Sequence, residues 1–137
     1  MILSKQSIID AVQKGEIGIS PFDETNLKDA SYTFTLAPKL LIHGIEQVMG
    51  EDGYALQPGE FVLGYTAEKL TLHGKYGCIM STRGSVAQKG LSVLLGSAFA
   101  EPDTDNVIIL EIHNASAVPI LLTPDLKIVK GVFAPVG

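Results

Sequence analysis

The sequence has a single cysteine, no tryptophan, few charges and no apolar run long enough to cross a membrane as a helix. Cys78 has no partner within the chain, so no disulfide framework holds the fold. Set inside Gly77-Cys78-Ile79-Met80, it suits a small buried hydrophobe better than a nucleophile. Charged residues make up 18% of the chain against 46% hydrophobic, which excludes a disordered tail or a fibrous protein. Ten basic and fifteen acidic side chains leave a net charge of −5, the wrong sign for a protein held on nucleic acid by backbone phosphates alone. Small anionic ligands stay compatible, because local cations, backbone amides or a bridging metal ion outweigh a distant field. Ser4-Lys5-Gln6 cuts off Met1-Ile2-Leu3 before a signal-peptide core can form, so the expected location is the cytoplasm, with no membrane partner.

What is present is enough for a core. A chain of 137 residues buries roughly two-thirds of its unfolded surface and needs no metal or disulfide staple. Residues 1–137 read as one domain. Only the first fifteen residues look like a substantial helix, with Ser4 as cap, Ile8, Ile9 and Val12 on one face, and Gly15 as stop. The period then changes to two. Ser31 to Leu36 alternates, which predicts a half-buried strand with Tyr32, Phe34 and Leu36 inside and Thr33 and Thr35 outside.

Short apolar runs follow at Leu40 to Ile42, Tyr54 to Leu56, Phe61 to Thr66, Gly77 to Met80, Leu91 to Leu95, Val107 to Ile112, Val118 to Leu122 and Ile128 to Phe133. Turn residues separate them, among them Gln57-Pro58-Gly59-Glu60, where proline and glycine suit the two centres of a type II turn. Many short strands at even spacing predict a mainly β sandwich or barrel behind a short N-terminal helix. Arg83 to Lys89, ending at Gly90, is the one segment in this region with a helical turn or two.

Three groups of residues carry chemical content. His43, His73, His113 and Cys78 are scattered singly, without the spacing of a zinc deaminase or metalloprotease, so no metal site is expected. Ser81 to Leu91 gathers hydroxyls, Arg83 and a glycine at a helix start, which fits a phosphate cradle or an ordinary capped turn with a surface arginine. Glu101, Asp103, Asp105 and Glu111 supply carboxylates. The first three sit in an acidic turn. Glu111 interrupts Val107-Ile108-Ile109-Leu110-Glu111-Ile112, a run of the kind buried on both faces, where it is a candidate general base or one half of a structural salt bridge.

Taken in order, these segments resemble the dCTP deaminase branch of the trimeric dUTPase-like superfamily. Ile2 to Ile8, Gly15-Glu16-Ile17 and Ile19-Ser20-Pro21-Phe22 look like that branch's first helix and strand, and Leu56 to Gly64 like its central strand entry. Arg83-Gly84-Ser85-Val86-Ala87-Gln88-Lys89-Gly90-Leu91 is similar to its Arg-Ser-Ser phosphate motif. Ile108 to Asn114, with Pro119, Leu122 and Pro124, resembles its last strands. The match covers nearly the whole chain and rests on order and spacing rather than on any one motif. It implies a distorted jelly-roll barrel, a homotrimer with shared sites, a pyrimidine deoxynucleoside triphosphate as ligand, and Mg²⁺ carried by that triphosphate in place of zinc.

The resemblance also implies roles. Glu111 takes the place of the glutamate that activates water, and Glu101 that of the dUTPase branch's aspartate, one methylene longer. Arg83 and Ser85 are kept for phosphate binding. Gly84 stands where the motif has its first serine, Gln88 where it has a second arginine, and Thr33 where the superfamily commonly has an early aspartate. In the pocket Phe99 replaces an arginine, and the small residue two places earlier is Ser97. Arginine to phenylalanine removes five donors and a charge. The turn reads Glu101-Pro102-Asp103, with Asn106 at a usual glycine; Asp and Asn tolerate positive φ better than most residues, so the turn is expected to survive. The sequence ends at Gly137 without the extension that closes over the nucleotide in both branches. Two functions are therefore expected in competition: deamination of dCTP to dUTP and ammonia, or a catalytically inactive trimer that binds a nucleotide or a protein. An unrelated β-barrel binding module leaves the ordered match unexplained.

Overall fold

The computed structural model describes residues 1–137. Helix α1 (Lys5–Gln13) starts where the Ser4 hydroxyl accepts the Ser7 amide, and the chain leaves it through Gly15 at φ 71°. Ile8 and Ala11 are buried, whereas Ile9 and Val12 pack only at the core's edge. The buried stripe is thus turned slightly from the face expected.

The strands are β1 (Gly18–Ser20), β2 (Tyr32–Thr35), β3 (Lys39–Ile42), β4 (Ile45–Val48), β5 (Tyr54–Leu56), β6 (Phe61–Thr71), β7 (Tyr76–Thr82), β8 (Leu91–Ser92), β9 (Phe99–Ala100), β10 (Asp105–Asn114), β11 (Ile120–Leu122) and β12 (Lys127–Pro135). A 3-10 turn covers Glu24–Asn26, and a one-turn helix α2 (Gly84–Ala87) separates β7 from β8. One sheet has the order β4-β3-β6-β10-β8 with β1 also on β6, a second the order β2-β12-β7-β9, and β11 pairs with β5. The mainly β fold expected from the alternating pattern is the fold observed. No helix is long and apolar enough to cross a membrane.

All three sheets contribute to one buried cluster: Phe34 and Phe133, Leu110 and Ile112, Leu56 and Leu122 meet in it. Burial removes this apolar surface from water at about 25 cal/mol per Å², the main source of stability. Contact is tight at Gly131 on β12, where a Cβ would lie 2.8 Å from the Cys78 sulfur and 2.9 Å from the Phe34 ring. Burial pushes the Cys78 thiol up to about 12, and the residue acts as a core hydrophobe.

Several elements depart from the sequence pattern, each for a local reason. The Leu91 to Leu95 run forms a strand only to Ser92, because the chain then leaves the ladder and follows β10 through a single parallel bridge, Leu94 to Glu111. Only Ile120–Leu122 of the run from Val118 pairs. β4 has all four residues exposed, so it carries no burial signal to read. β6 runs on to Thr71 through Ala67-Glu68-Lys69, and Glu68 is only 3% exposed. Its two carboxylate oxygens accept the Thr35 amide at 2.9 Å and the Thr35 hydroxyl at 2.7 Å. The Thr66 hydroxyl donates to the Glu68 carbonyl and accepts the Ile108 amide where β10 shifts register. Side chains thereby complete hydrogen bonding where the ladder is interrupted. Thr33 is buried too, so β2 is covered on both faces rather than half-buried.

Candidate functional site

The site is organised by a change of sheet. β9 lies on the edge of the four-stranded sheet, with Ile79 opposite Phe99 and Cys78 opposite Ala100, whereas β10 lies on β6 in the six-stranded one. The Glu101-Pro102-Asp103-Thr104 turn joins them. Its closing bond runs from the Thr104 amide to the Glu101 carbonyl at 3.0 Å, and the Thr104 hydroxyl donates to the same carbonyl. The turn survives, and neither Asp103 nor Asn106 needs a positive φ to form it. Proline after the first residue suits a type I turn, whose central positions both have negative φ.

Beside this turn is an open cleft of about 460 Å³ lined by Met80, Ser97, Phe99, Ala100, Glu101 and residues 103–109. The structure thus brings together three of the expected site residues, Ser97, Phe99 and Glu101, all exposed. The Phe99 ring turns toward β7: a Cβ on Gly77 would come within 2.7 Å of it. Asp105 is already engaged, bonded by the Thr71 hydroxyl at 2.9 Å and paired with Lys69 at 3.2 Å. These contacts hold its carboxyl below the ordinary range.

Glu111 is not among the residues lining that cleft. β10 alternates, with Leu110, Ile112 and Asn114 turned to the core and Ile109 58% exposed, so Glu111 is half-buried on the outer face. The expectation of burial on both faces fails: only Leu110, Ile112 and Asn114 are buried, and the alternate positions Ile109, Glu111 and His113 are exposed or half-buried. Glu111 takes part in none of the ion pairs within the chain. Its Oε1 instead accepts the Gly96 amide at 2.6 Å. Gly96 carries no side-chain signal, so reasoning from residue types passes over it; the donor is backbone.

The Arg83 segment sits close to this carboxylate along the chain of hydrogen bonds. Arg83 heads α2, its amide donating to the Ile128 carbonyl at 2.8 Å, and its guanidinium is in no ion pair. The neighbouring Thr82 hydroxyl accepts the Val93 amide at 3.2 Å, and the Val93 carbonyl accepts the Glu111 amide at 2.9 Å. Gly84, Ser85 and Gln88 are exposed around that turn, with open space where a Gly84 side chain would project. The histidines stay apart, and no group of three or more His, Cys, Asp or Glu side chains converges as a metal cage.

The fold is shared with nucleotide-metabolising enzymes of known structure. A 2'-deoxycytidine 5'-triphosphate deaminase from Agrobacterium tumefaciens superposes with a TM-score of 0.81 at 15% identity, covering 99% of this chain. The chain spans about half of that protein, 48% of its length. A dUTPase from Streptococcus mutans superposes with a TM-score of 0.61 at 19% identity over 87% of this chain and 94% of its own. These likenesses define the fold as dUTPase-like.

Sequence comparison narrows the class. The dCTP deaminase-like family model matches residues 2–136, and the chain belongs to that family. Proteins described as dCTP deaminase, dUMP-forming, are similar to it: one from Corynebacterium kroppenstedtii at 30% identity over 93% of this chain and 78% of its own, and one from Mycobacterium tuberculosis at 31% over 93% and 77%.

Proposed function

We propose that the chain binds a pyrimidine deoxynucleoside triphosphate and deaminates dCTP, with Glu111 as the base. The observation that supports this best is the Glu111 carboxylate, half-buried, in no ion pair within the chain and fixed by the Gly96 amide, on a strand position that Val93 links to Thr82, next to Arg83. Water bonds to C4 of the cytosine ring as Glu111 takes a proton from it. The water's protons pass by way of the carboxyl to the ring nitrogen and the amine, the C4–N bond breaks, and dUTP and ammonia leave. Arg83 and Ser85 hold phosphate oxygens, with Gln88 at the rim. Mg²⁺ carried by the triphosphate oxygens would neutralise part of their charge. The family resemblance supports a homotrimer with sites completed by neighbouring subunits.

One observation favours a second reading, a trimeric homologue that binds a nucleotide or a protein partner without chemistry. Phe99 lines the cleft with a ring that rests over Gly77 and offers no hydrogen-bond donor. Anion-exchange analysis of the protein with dCTP, dUTP and dTTP in Mg²⁺ separates the two. The first reading expects dCTP conversion that Glu111→Gln lowers by at least about 100-fold, the scale of general acid–base catalysis. No conversion at high enzyme concentration favours the second.

A further inference from the structure

We propose that Gly96 is the positioning residue for Glu111, through its backbone amide and its lack of a side chain. The inference rests on the reading of Glu111 as base. Between β8 and β9 the segment Val93–Gly96 runs beside Glu111 and grips it three times. The Val93 carbonyl accepts the Glu111 amide at 2.9 Å, the Leu95 amide donates to the Glu111 carbonyl at 3.4 Å, and the Gly96 amide donates to Oε1 at 2.6 Å. The last is the shortest of the three.

Proximity to the carboxylate makes glycine specific to this position. A Cβ on Gly96 would lie 3.3 Å from Oε1 and 3.8 Å from Oε2, tighter than ordinary contact with the first oxygen. The backbone at Gly96 is outside the left-handed region, so nothing in its conformation calls for glycine; proximity does. No protein group donates to Oε2. One oxygen is therefore fixed by the protein while the other is left to a water, the division that a base needs to hold its lone pair in one direction. Apolar residues frame the contact, with Leu63 opposite on β6 and Leu94 bridging from the segment, so the amide is the donor that orients the carboxylate.

Two readouts on the full chain test this, one independent of turnover. In a nitrogen-15 labelled sample at neutral pH the Gly96 amide proton should move more than any other glycine amide when Glu111→Gln replaces the charged acceptor. In dCTP assays Gly96→Ala should lower kcat by about 10- to 100-fold with KM changed less than about threefold, while its urea midpoint matches the parent. A Gly96 amide that ignores Glu111 overturns the proposal whatever the activity. So does a Gly96→Ala variant with the parent's kcat. A parent protein that converts no dCTP overturns the base role alone, and the amide shift in Glu111→Gln then decides whether the contact positions the carboxylate.

Discussion

Two glutamates show how differently one side chain is used. Glu68 is closed in between β2 and β6 and spends both oxygens on Thr35, whereas Glu111 spends one on Gly96 and presents the other. Glu68→Ala leaves the Thr35 amide and hydroxyl without acceptors in a buried place, at a cost of about 1–3 kcal/mol per buried group left unpaired. Urea unfolding should show that loss, and Glu68→Gln should recover part of it; equal stability of Glu68→Ala and the parent would contradict the clip between the strands. Of the two, only Glu111 was legible in the sequence, because it breaks an apolar run. Glu68 sits in Ala67-Glu68-Lys69, which reads as a solvated end of a strand, and its burial follows from the threonines that long-range pairing brings to it. Gly96 was illegible for another reason: its contribution is an amide that every residue but proline has.

At the scale of elements, turns were read more faithfully than strand lengths. Pro58-Gly59 forms the turn expected, with Gly59 at φ 79° and the Glu60 amide on the Gln57 carbonyl at 3.0 Å. Turn chemistry is local, so two residues suffice to specify it. Strand ends depend on partners distant in sequence, hence the early stop of β8 and the extension of β6. The β5–β6 turn also contains a pH-sensitive clamp, in which Glu60 receives hydrogen bonds from Tyr54, the Gln57 amide and His43. Burial alone would raise its carboxyl, but these bonds outweigh burial and hold it below the ordinary 4.5. The same contact, aided by burial, pushes the Tyr54 phenol up to about 12. A carboxyl lowered on folding stabilises above its unfolded value, and that contribution is lost as pH falls through the folded one. Melting temperature should therefore fall in acid starting below about pH 4.5. The fall should be shallower in Glu60→Gln; parallel curves would contradict the clamp.

For the whole molecule, the fold was legible because composition, alternation and turn spacing all pointed to short strands around one core, and the strands from all three sheets do meet there. The arrangement of the site was less so. Glu101, Ser97 and Phe99 gather in one cleft, while Glu111 and the Arg83 segment lie outside its lining, linked to each other through Thr82 and Val93. Distance along the chain does not carry that division; it follows from β9 and β10 belonging to different sheets. In the proposed reaction Glu111 directs water to C4 of a cytosine nucleotide. Mass spectrometry of the nucleotide product after incubation with dCTP in heavy-oxygen water, beside Glu111→Gln, tests this at the reacting atom. One heavy oxygen should enter the uracil ring, with the labelled product nearly absent in the variant; labelled product formed equally by Glu111→Gln, or no uracil product from the parent, would contradict the proposed role.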